Sequence, residues 1–315
     1  NICPKIKPKK SYLYITEFIL NLMNSIIKLL RPAQWLKNTF IFLPIFFNHR
    51  ILSFEELASA LCTFIAFSFA ASSVYCFNDI RDVEADKLHP KKRMRPIASG
   101  KITLVQAYTT MVACIIIALV LLYLLPAGEI RNKTSFGIII YYILNLFYCT
   151  TLKHIAIIDT FIIAIGFVIR VLVGGFSTAT WISQWIVLMT FLLALFLAFA
   201  KRRDDVLIFQ TSGKKMRKNI VRYNLTFLNN AIAIIAAMTM ICYIMWTMEN
   251  DVIERFNTQY LYITSIFVLL GIMRYMQLTI VDEKSGSPTN IIRKDRFIHL
   301  CIAGWITTFT IIIYL

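Results

Sequence analysis

The sequence has no CxxC pair, and its seven cysteines (Cys3, Cys62, Cys76, Cys114, Cys149, Cys242 and Cys301) are scattered, mostly inside apolar runs. That spacing excludes a zinc ribbon or a disulfide framework as the organising principle. The cysteines read instead as small residues for helix packing. No secretory signal is legible, because residues 1–10 are basic but are not followed by an apolar core with a small-residue cleavage site. Negative charge is also scarce, with 17 Asp+Glu against 33 Lys+Arg and a net charge of +16. In a chain this apolar, a basic excess reports membrane topology, since Lys and Arg collect on the cytoplasmic side. Nucleic acid is therefore not expected as a partner.

Apolar sequence is abundant. The 315 residues are 58% hydrophobic, with a mean hydropathy of +0.67, where a soluble domain holds ~45–50% apolar residues. Several uncharged runs reach the length needed to cross a bilayer. The expected fold class is an all-α polytopic membrane bundle. Its nine spans are residues 36–48, 54–77, 104–125, 136–151, 156–176, 181–200, 225–247, 258–278 and 297–315. Before them, Glu17, Asn21, Asn24 and Lys28 recur at steps of 4, 3 and 4. One polar stripe on a helix predicts a segment lying in the interface plane. The chain thus divides into residues 1–30, basic and interfacial, and residues 31–315, the transmembrane domain.

Charge orders these spans. Lys and Arg on alternate connections total 27 against 4 on the others. The positive-inside rule then puts the N-terminus in the cytoplasm of a bacterial-type inner membrane and, after nine crossings, Leu315 outside. The two long polar connections, residues 78–103 and 201–224, fall on the cytoplasmic side, so the active site is expected there.

The few acids are concentrated. The stretch NDIRDVEADKLHP (residues 78–90) follows a nearly all-apolar run. Continued as a helix at ~100° per residue, it sets Asn78, Asp82 and Asp86 in line with Asp79 beside them, and turns Glu84 to the opposite face. Carboxylates this close repel one another, and a hard cation relieves the conflict. An all-oxygen set near water favours Mg2+ shared with substrate phosphates. The alternative is a solvated helix end whose acids pair with Arg81, Lys87 and Lys91. The stretch HPKKRMRPIASGKIT (residues 89–103) then supplies Lys91, Lys92, Arg93, Arg95 and Lys101, an anion clamp beside the acids.

Further along, Asp159 and Arg170 lie in or near apolar runs, where ionisable side chains usually face the bundle interior. Eleven residues set them ~20° apart on one helical face and ~16 Å apart along it, too far for a direct pair. They are candidates for lining one cavity at two depths, or each pairs with a neighbouring helix. Lys153, Lys201 and Arg202 are candidate phosphate ligands; snorkelling to headgroups or stop-transfer is the competing reading. Arg274 carries a weaker claim of the same kind.

The pattern N-D-x-x-D-x-x-x-D, filled by Asn78, Asp79, Asp82 and Asp86, resembles the signature of the UbiA superfamily of intramembrane prenyltransferases. RPAQWLKN (residues 31–38) and RPIASGKIT (residues 95–103) are similar to family motifs as well. The likeness implies a nine-helix bundle and places Lys37 and Asn38 near a pyrophosphate. A narrower likeness links residues 78–100, 148–175, 198–206 and 286–300 to the branch that makes polyprenyl-phosphate phosphoribose, decaprenyl-phosphate phosphoribosyltransferase. Many superfamily members carry a second motif of paired Asp, where this chain has only Asp159 with Lys153 and Arg170. That departure puts a second metal in doubt.

The resemblance implies an enzyme joining phosphoribosyl pyrophosphate to a polyprenyl phosphate. Asn78, Asp82 and Asp86 hold Mg2+, and Asp79, Asp82 and Asp86 carry the catalysis. Lys37, Asn38, Lys91, Arg93, Arg95, Lys153, Asp159, Arg170, Lys201 and Arg202 bind substrate. One rival is aromatic prenyl transfer, in which a lipid diphosphate binds the same acids. Another is a lipid carrier or transporter, which calls for charges at several membrane depths. Self-association into a homo-oligomer is compatible with each.

Overall fold

A computed structural model describes residues 9–48, 50–88, 92–212, 218–283, 291 and 294–314. Every regular element among the described residues is helical. Among the described residues, seven helices are long and apolar enough to cross a membrane: residues 54–81, 104–123, 158–177, 184–211, 225–247, 260–280 and 296–313. The chain forms two compact units, one of residues 1–39 and 58–149 and one of residues 40–57 and 150–315.

The expected span at residues 36–48 takes another form. An 11-residue 3-10 helix, Pro32–Phe42, runs into a short α-helix, Leu43–Phe47. Pro44 lies in the first turn of that short helix. A first turn has no use for the missing N–H, so the proline opens the helix instead of interrupting it. The helix before it, α1 (Lys9–Leu30), ends at Arg31, a non-glycine residue at φ 54°. With the short helix taken as α2, the rest follow in order: α3 (Phe54–Arg81), α4 (Val83–Leu88), α5 (Leu104–Tyr123), α6 (Glu129–Thr150), α7 (Ile158–Ser177), α8 (Gln184–Ser212), α9 (Leu225–Thr247), α10 (Asn250–Phe256), α11 (Ser265–Ile280) and α12 (Arg296–Tyr314).

In the first unit, α3 buries a run of small residues, among them Ala66, Ser68, Ala70, Ala71, Ser72 and Ser73. Small side chains let neighbouring backbones approach, and their hydroxyls bond across helices. Asn38 Nδ2 donates to Ser68 Oγ at 2.8 Å. One turn along α3, Trp35 Nε1 donates to Ser72 Oγ at 3.0 Å. The 3-10 segment is thus fastened to α3 by two polar bonds, and Ser73 meets Tyr142 of α6 at 3.2 Å. A small apolar cluster of Leu29, Cys76, Ile97, Ile102 and Ala107 anchors the connection that follows α4. Gly100 supplies the positive φ of 74° that this turn requires. A capping box between Thr103 and Gln106 then starts α5.

In the second unit, α7, α8 and α9 share a core that includes Ala164, Phe196, Phe199, Leu228 and Ile232. A second cluster gathers Trp246, Phe256, Leu261 and Phe309. Gly174 of α7 allows the backbone of residue 41 to lie against it: a Cβ there would stand 2.1 Å from the Ile41 carbonyl oxygen.

The outer surface is the counterpart of these cores. The apolar window of α5 is 17% buried at a mean hydropathy of 2.3, with Val105, Val112, Ile116, Leu119 and Val120 exposed. A contiguous face of that kind is unsuited to water and suited to lipid. The protein is an integral membrane protein.

Candidate functional site

The first constellation lies where α3 passes into α4. The helix is interrupted at Asp82, yet Asp82 N–H bonds to Asn78 O at 2.9 Å and Asp86 N–H to Asp82 O at 2.8 Å. These two bonds preserve the i, i+4, i+8 register across the break. Asp79 and Asp86 are each 2% exposed, and Asn78 and Asp82 are half-buried. Glu84 is exposed and pairs with Lys87 at 2.8 Å, on the side to which helical rotation assigns it.

Two guanidinium groups meet the buried carboxylates. Arg95 Nη1 donates to Asp79 Oδ1 at 3.0 Å and to Asp86 Oδ2 at 2.7 Å. Arg31 Nη2 donates to the same Asp79 oxygen at 2.5 Å, and its guanidinium lies 5.2 Å from the centre of the Tyr75 ring. Both arginine side chains are 25% exposed, so each has water on one side. Burying a carboxylate requires such compensation.

Among the described residues, no three His, Cys, Asp or Glu side chains stand together as a ready metal cage. The acids are not gathered on one point, because bringing three carboxylates together without a cation raises their mutual repulsion. The donors nevertheless suit a hard cation. Two carboxylates about two helical turns apart already converge on a single positively charged nitrogen, Arg95 Nη1, and every side-chain donor in the set is oxygen or carboxamide. That donor chemistry is the kind a hard divalent ion takes.

The second constellation lies within the other unit. Asp159, in the first turn of α7, is fully buried. Its Oδ2 accepts from Arg202 Nε at 2.7 Å, and its Oδ1 accepts from the Tyr223 hydroxyl at 3.0 Å. That hydroxyl in turn accepts the Ile157 N–H at 2.6 Å, at a residue with φ 70°. Burial pushes the Tyr223 phenol up to about 12, so it remains a donor at physiological pH. Arg202 also donates to Asp205 Oδ2 at 2.9 Å and is 1% exposed. The result is a buried carboxylate–guanidinium–carboxylate chain with a phenol at one end.

The other expected site residues are dispersed. Asn38 is buried against Ser68, and Lys37 is half-buried on the 3-10 helix before α2. Arg93 is exposed on the short 3-10 helix Lys92–Met94. Lys91 lies outside the described residues. Lys153 is half-buried on the 3-10 turn Leu152–His154, and Lys201 is exposed. Arg170 donates to the Gly166 carbonyl at 2.6 Å and lies 5.3 Å from the centre of the Phe167 ring. Asp159 and Arg170 therefore have separate partners. Arg203, beside Arg202, caps the C-terminus of α11 by donating to Thr279 O at 2.7 Å and Ile280 O at 3.2 Å.

Two partners escaped the sequence reading. Arg31 stands in the RPAQWLKN stretch, but nothing in its local sequence ties it to Asp79, 48 residues on. Tyr223 lies in a basic connection whose charge dominates its appearance. A buried Asp without a local cation is the signal that points to such distant partners.

Residues 49–301 match the model of the UbiA prenyltransferase family. The chain belongs to the UbiA prenyltransferase family. Within it, the chain is 30% identical over 298 residues to a decaprenyl-phosphate phosphoribosyltransferase of Mycobacterium tuberculosis, covering 93% of this chain and 96% of that protein. It is 31% identical over 304 residues to the protein of that name from Mycolicibacterium smegmatis, covering 93% and 94%. In fold it resembles a UbiA homolog from Archaeoglobus fulgidus solved with GPP and Mg2+ bound. The TM-score is 0.67 at 17% identity, over 92% of this chain and 100% of that one. This UbiA-family chain therefore shares the helical fold of that structure, and the longer sequence likeness runs to the phosphoribosyltransferases.

Proposed function

We propose that this protein transfers 5-phosphoribose from phosphoribosyl pyrophosphate to a polyprenyl phosphate, releasing pyrophosphate. The observation that carries the reading is a likeness along nine-tenths of the chain to relatives named for decaprenyl-phosphate phosphoribosyl transfer. In the reaction, the bond from ribose C1 to the pyrophosphate oxygen breaks and its electron pair leaves with pyrophosphate. A phosphate oxygen of the lipid forms the new bond to C1. That nucleophile is already anionic at neutral pH, so no general base is required.

Asn78, Asp82 and Asp86 are the residues that would hold Mg2+, which when bound neutralises the departing diphosphate. Asp79 supports this set through Arg31 and Arg95. Arg95, with Arg93, Lys91 and Lys37, binds diphosphate oxygens, and Lys153 and Lys201 bind phosphate in the second unit. Asn38, bonded to Ser68, positions the 3-10 helix that carries Lys37. Asp159 and Arg202 tie the first turn of α7 to α8, the helix that carries Lys201, and Arg170 is assigned to substrate.

The membrane arrangement belongs to the same reading. To the seven apolar spans, α6 adds 22 residues, about 33 Å of α-helix. The run of 11 3-10 and five α residues at 32–47 adds about 30 Å, enough for the hydrocarbon core. Nine crossings and the Lys/Arg bias put the N-terminus and the acids at the cytoplasmic face and the C-terminus outside. The helix α1 lies in the interface: its Leu20, Met23 and Ile27 are exposed at helical spacing.

The test is transfer of radiolabel. Purified protein in lipid vesicles, given labelled phosphoribosyl pyrophosphate, polyprenyl phosphate and Mg2+, is expected to move label into the organic phase. Asp82→Ala should lower that transfer at least ~100-fold, the scale of losing an electrostatic contact to the reacting group. No extractable label from the unmodified protein rules out the reading.

A further inference from the structure

We propose that Arg95 is a built-in counter-cation that keeps the acidic cluster closed to a divalent ion until a diphosphate arrives, so that ion and diphosphate bind as a unit. The inference rests on the phosphoribosyl-transfer reading only for the identity of the diphosphate.

One nitrogen, Arg95 Nη1, serves two carboxylates from different helical turns, Asp79 at 3.0 Å and Asp86 at 2.7 Å. Arg31 adds a second positive charge on the same Asp79 oxygen. Two buried negative charges are therefore already matched by two guanidinium groups. A divalent ion entering alone must displace Arg95 from both acids and leave that guanidinium beside it without a counter-charge. Like charges at such distances repel strongly where water is partly excluded.

A diphosphate alters the balance. Its oxygens match the planar fork of an arginine better than a lone carboxylate oxygen does. The connection that carries Arg95 is pinned by Ile97 and Ile102 in the apolar cluster of the first unit. The side chain, a quarter exposed, can then swing from acid to phosphate while its backbone stays in place. As Arg95 leaves, the Asp86 oxygen is freed for an ion held with Asn78 and Asp82, while Asp79 keeps Arg31. Linkage makes the effect reciprocal: the diphosphate raises ion affinity by the factor by which the ion raises diphosphate affinity.

The test uses full-length protein in detergent micelles, radioactive Mn2+ in place of Mg2+, and inorganic pyrophosphate. Bound ion is counted by equilibrium dialysis, corrected for the complex formed in free solution. For the unmodified protein, pyrophosphate is expected to tighten Mn2+ binding by about 10-fold to 100-fold, the usual range of such coupling. Arg95→Gln is expected to raise the affinity for Mn2+ alone by about 10-fold and to shrink the pyrophosphate effect towards unity. Unchanged or weaker Mn2+ binding by Arg95→Gln overturns the proposal. So does equal binding by the unmodified protein with and without pyrophosphate, an arm that decides the matter even where the variant fails to fold. Coupling observed without any label transfer from phosphoribosyl pyrophosphate supports Arg95 as counter-cation and removes the phosphoribosyl reading instead.

Discussion

Arg202 and Asp159, 43 residues apart, meet at 2.7 Å with side chains 1% and 0% exposed. At that burial neither charge is tolerable alone, so each is the condition for the other. Removing one member of a buried pair costs about 3–5 kcal/mol, while replacing both with apolar groups is often nearly neutral. Arg202→Met is therefore expected to lower the unfolding temperature in detergent sharply. Arg202→Met with Asp159→Leu should recover part of the loss, since Asp205 still lacks the guanidinium it shares with Asp159. A double variant no more stable than the single one contradicts the pairing.

The bond from Asn38 to Ser68 invites a similar test on the first unit. Ser68→Ala leaves a fully buried carboxamide donor without this acceptor, at a cost of about 1–3 kcal/mol. Asn38→Leu together with Ser68→Ala should cost less than Ser68→Ala alone. Thermal unfolding of the unmodified protein, Asn38→Leu, Ser68→Ala and the double variant checks this, and strictly additive losses would show that the two residues do not act together.

Gly174 of α7 has no room for a side chain. The added methyl of Gly174→Ala would meet the Ile41 carbonyl at 2.1 Å, and backbone cannot swing aside as a flexible side-chain end can. A loss of about 1–3 kcal/mol is expected, typical of overpacking. A control at Gly271, where a Cβ meets nothing nearer than 3.8 Å, should be close to neutral. Equal effects at both positions in thermal unfolding would contradict the close approach.

Asp295 gives a pH dependence with a definite sign. The Arg274 hydrogen bond holds its carboxyl below the ordinary value of 3.8, helped by the Ile298 N–H at the start of α12. A carboxyl with a lowered folded-state pKa binds fewer protons folded than unfolded. Its stabilisation is thus present above 3.8 and is lost as pH falls from there through the folded value. Asp295→Asn should be less stable than the unmodified protein at neutral pH, and the gap should close in acid. A gap that widens below pH 3.8 contradicts the assignment.

Residues whose partners are close in sequence were the readable ones. Asn78, Asp82 and Asp86 were visible because helical spacing alone aligns them, and the backbone bonds across the break at Asp82 keep that spacing. The seven spans were visible because apolar runs of that length have few alternatives. The partners of Asp79 and Asp159 were not readable: Arg31 and Tyr223 reach them only through tertiary packing, 48 and 64 residues away in sequence. Nothing near Ser68 and Ser72 in sequence points to Trp35 and Asn38, which the 3-10 segment brings against them. The 3-10 form itself is hidden, because its hydrophobic pattern over so few turns differs little from that of an α-helix.

The most direct measurement is the mass of the lipid product. One preparation is offered phosphoribosyl pyrophosphate with a polyprenyl phosphate, and in a separate reaction a polyprenyl diphosphate with an aromatic acceptor. Mass spectrometry of the extracts should find the polyprenyl phosphate heavier by one phosphoribosyl group in the first reaction and no prenylated aromatic in the second. A prenylated aromatic product with the polyprenyl phosphate left unmodified would contradict the account.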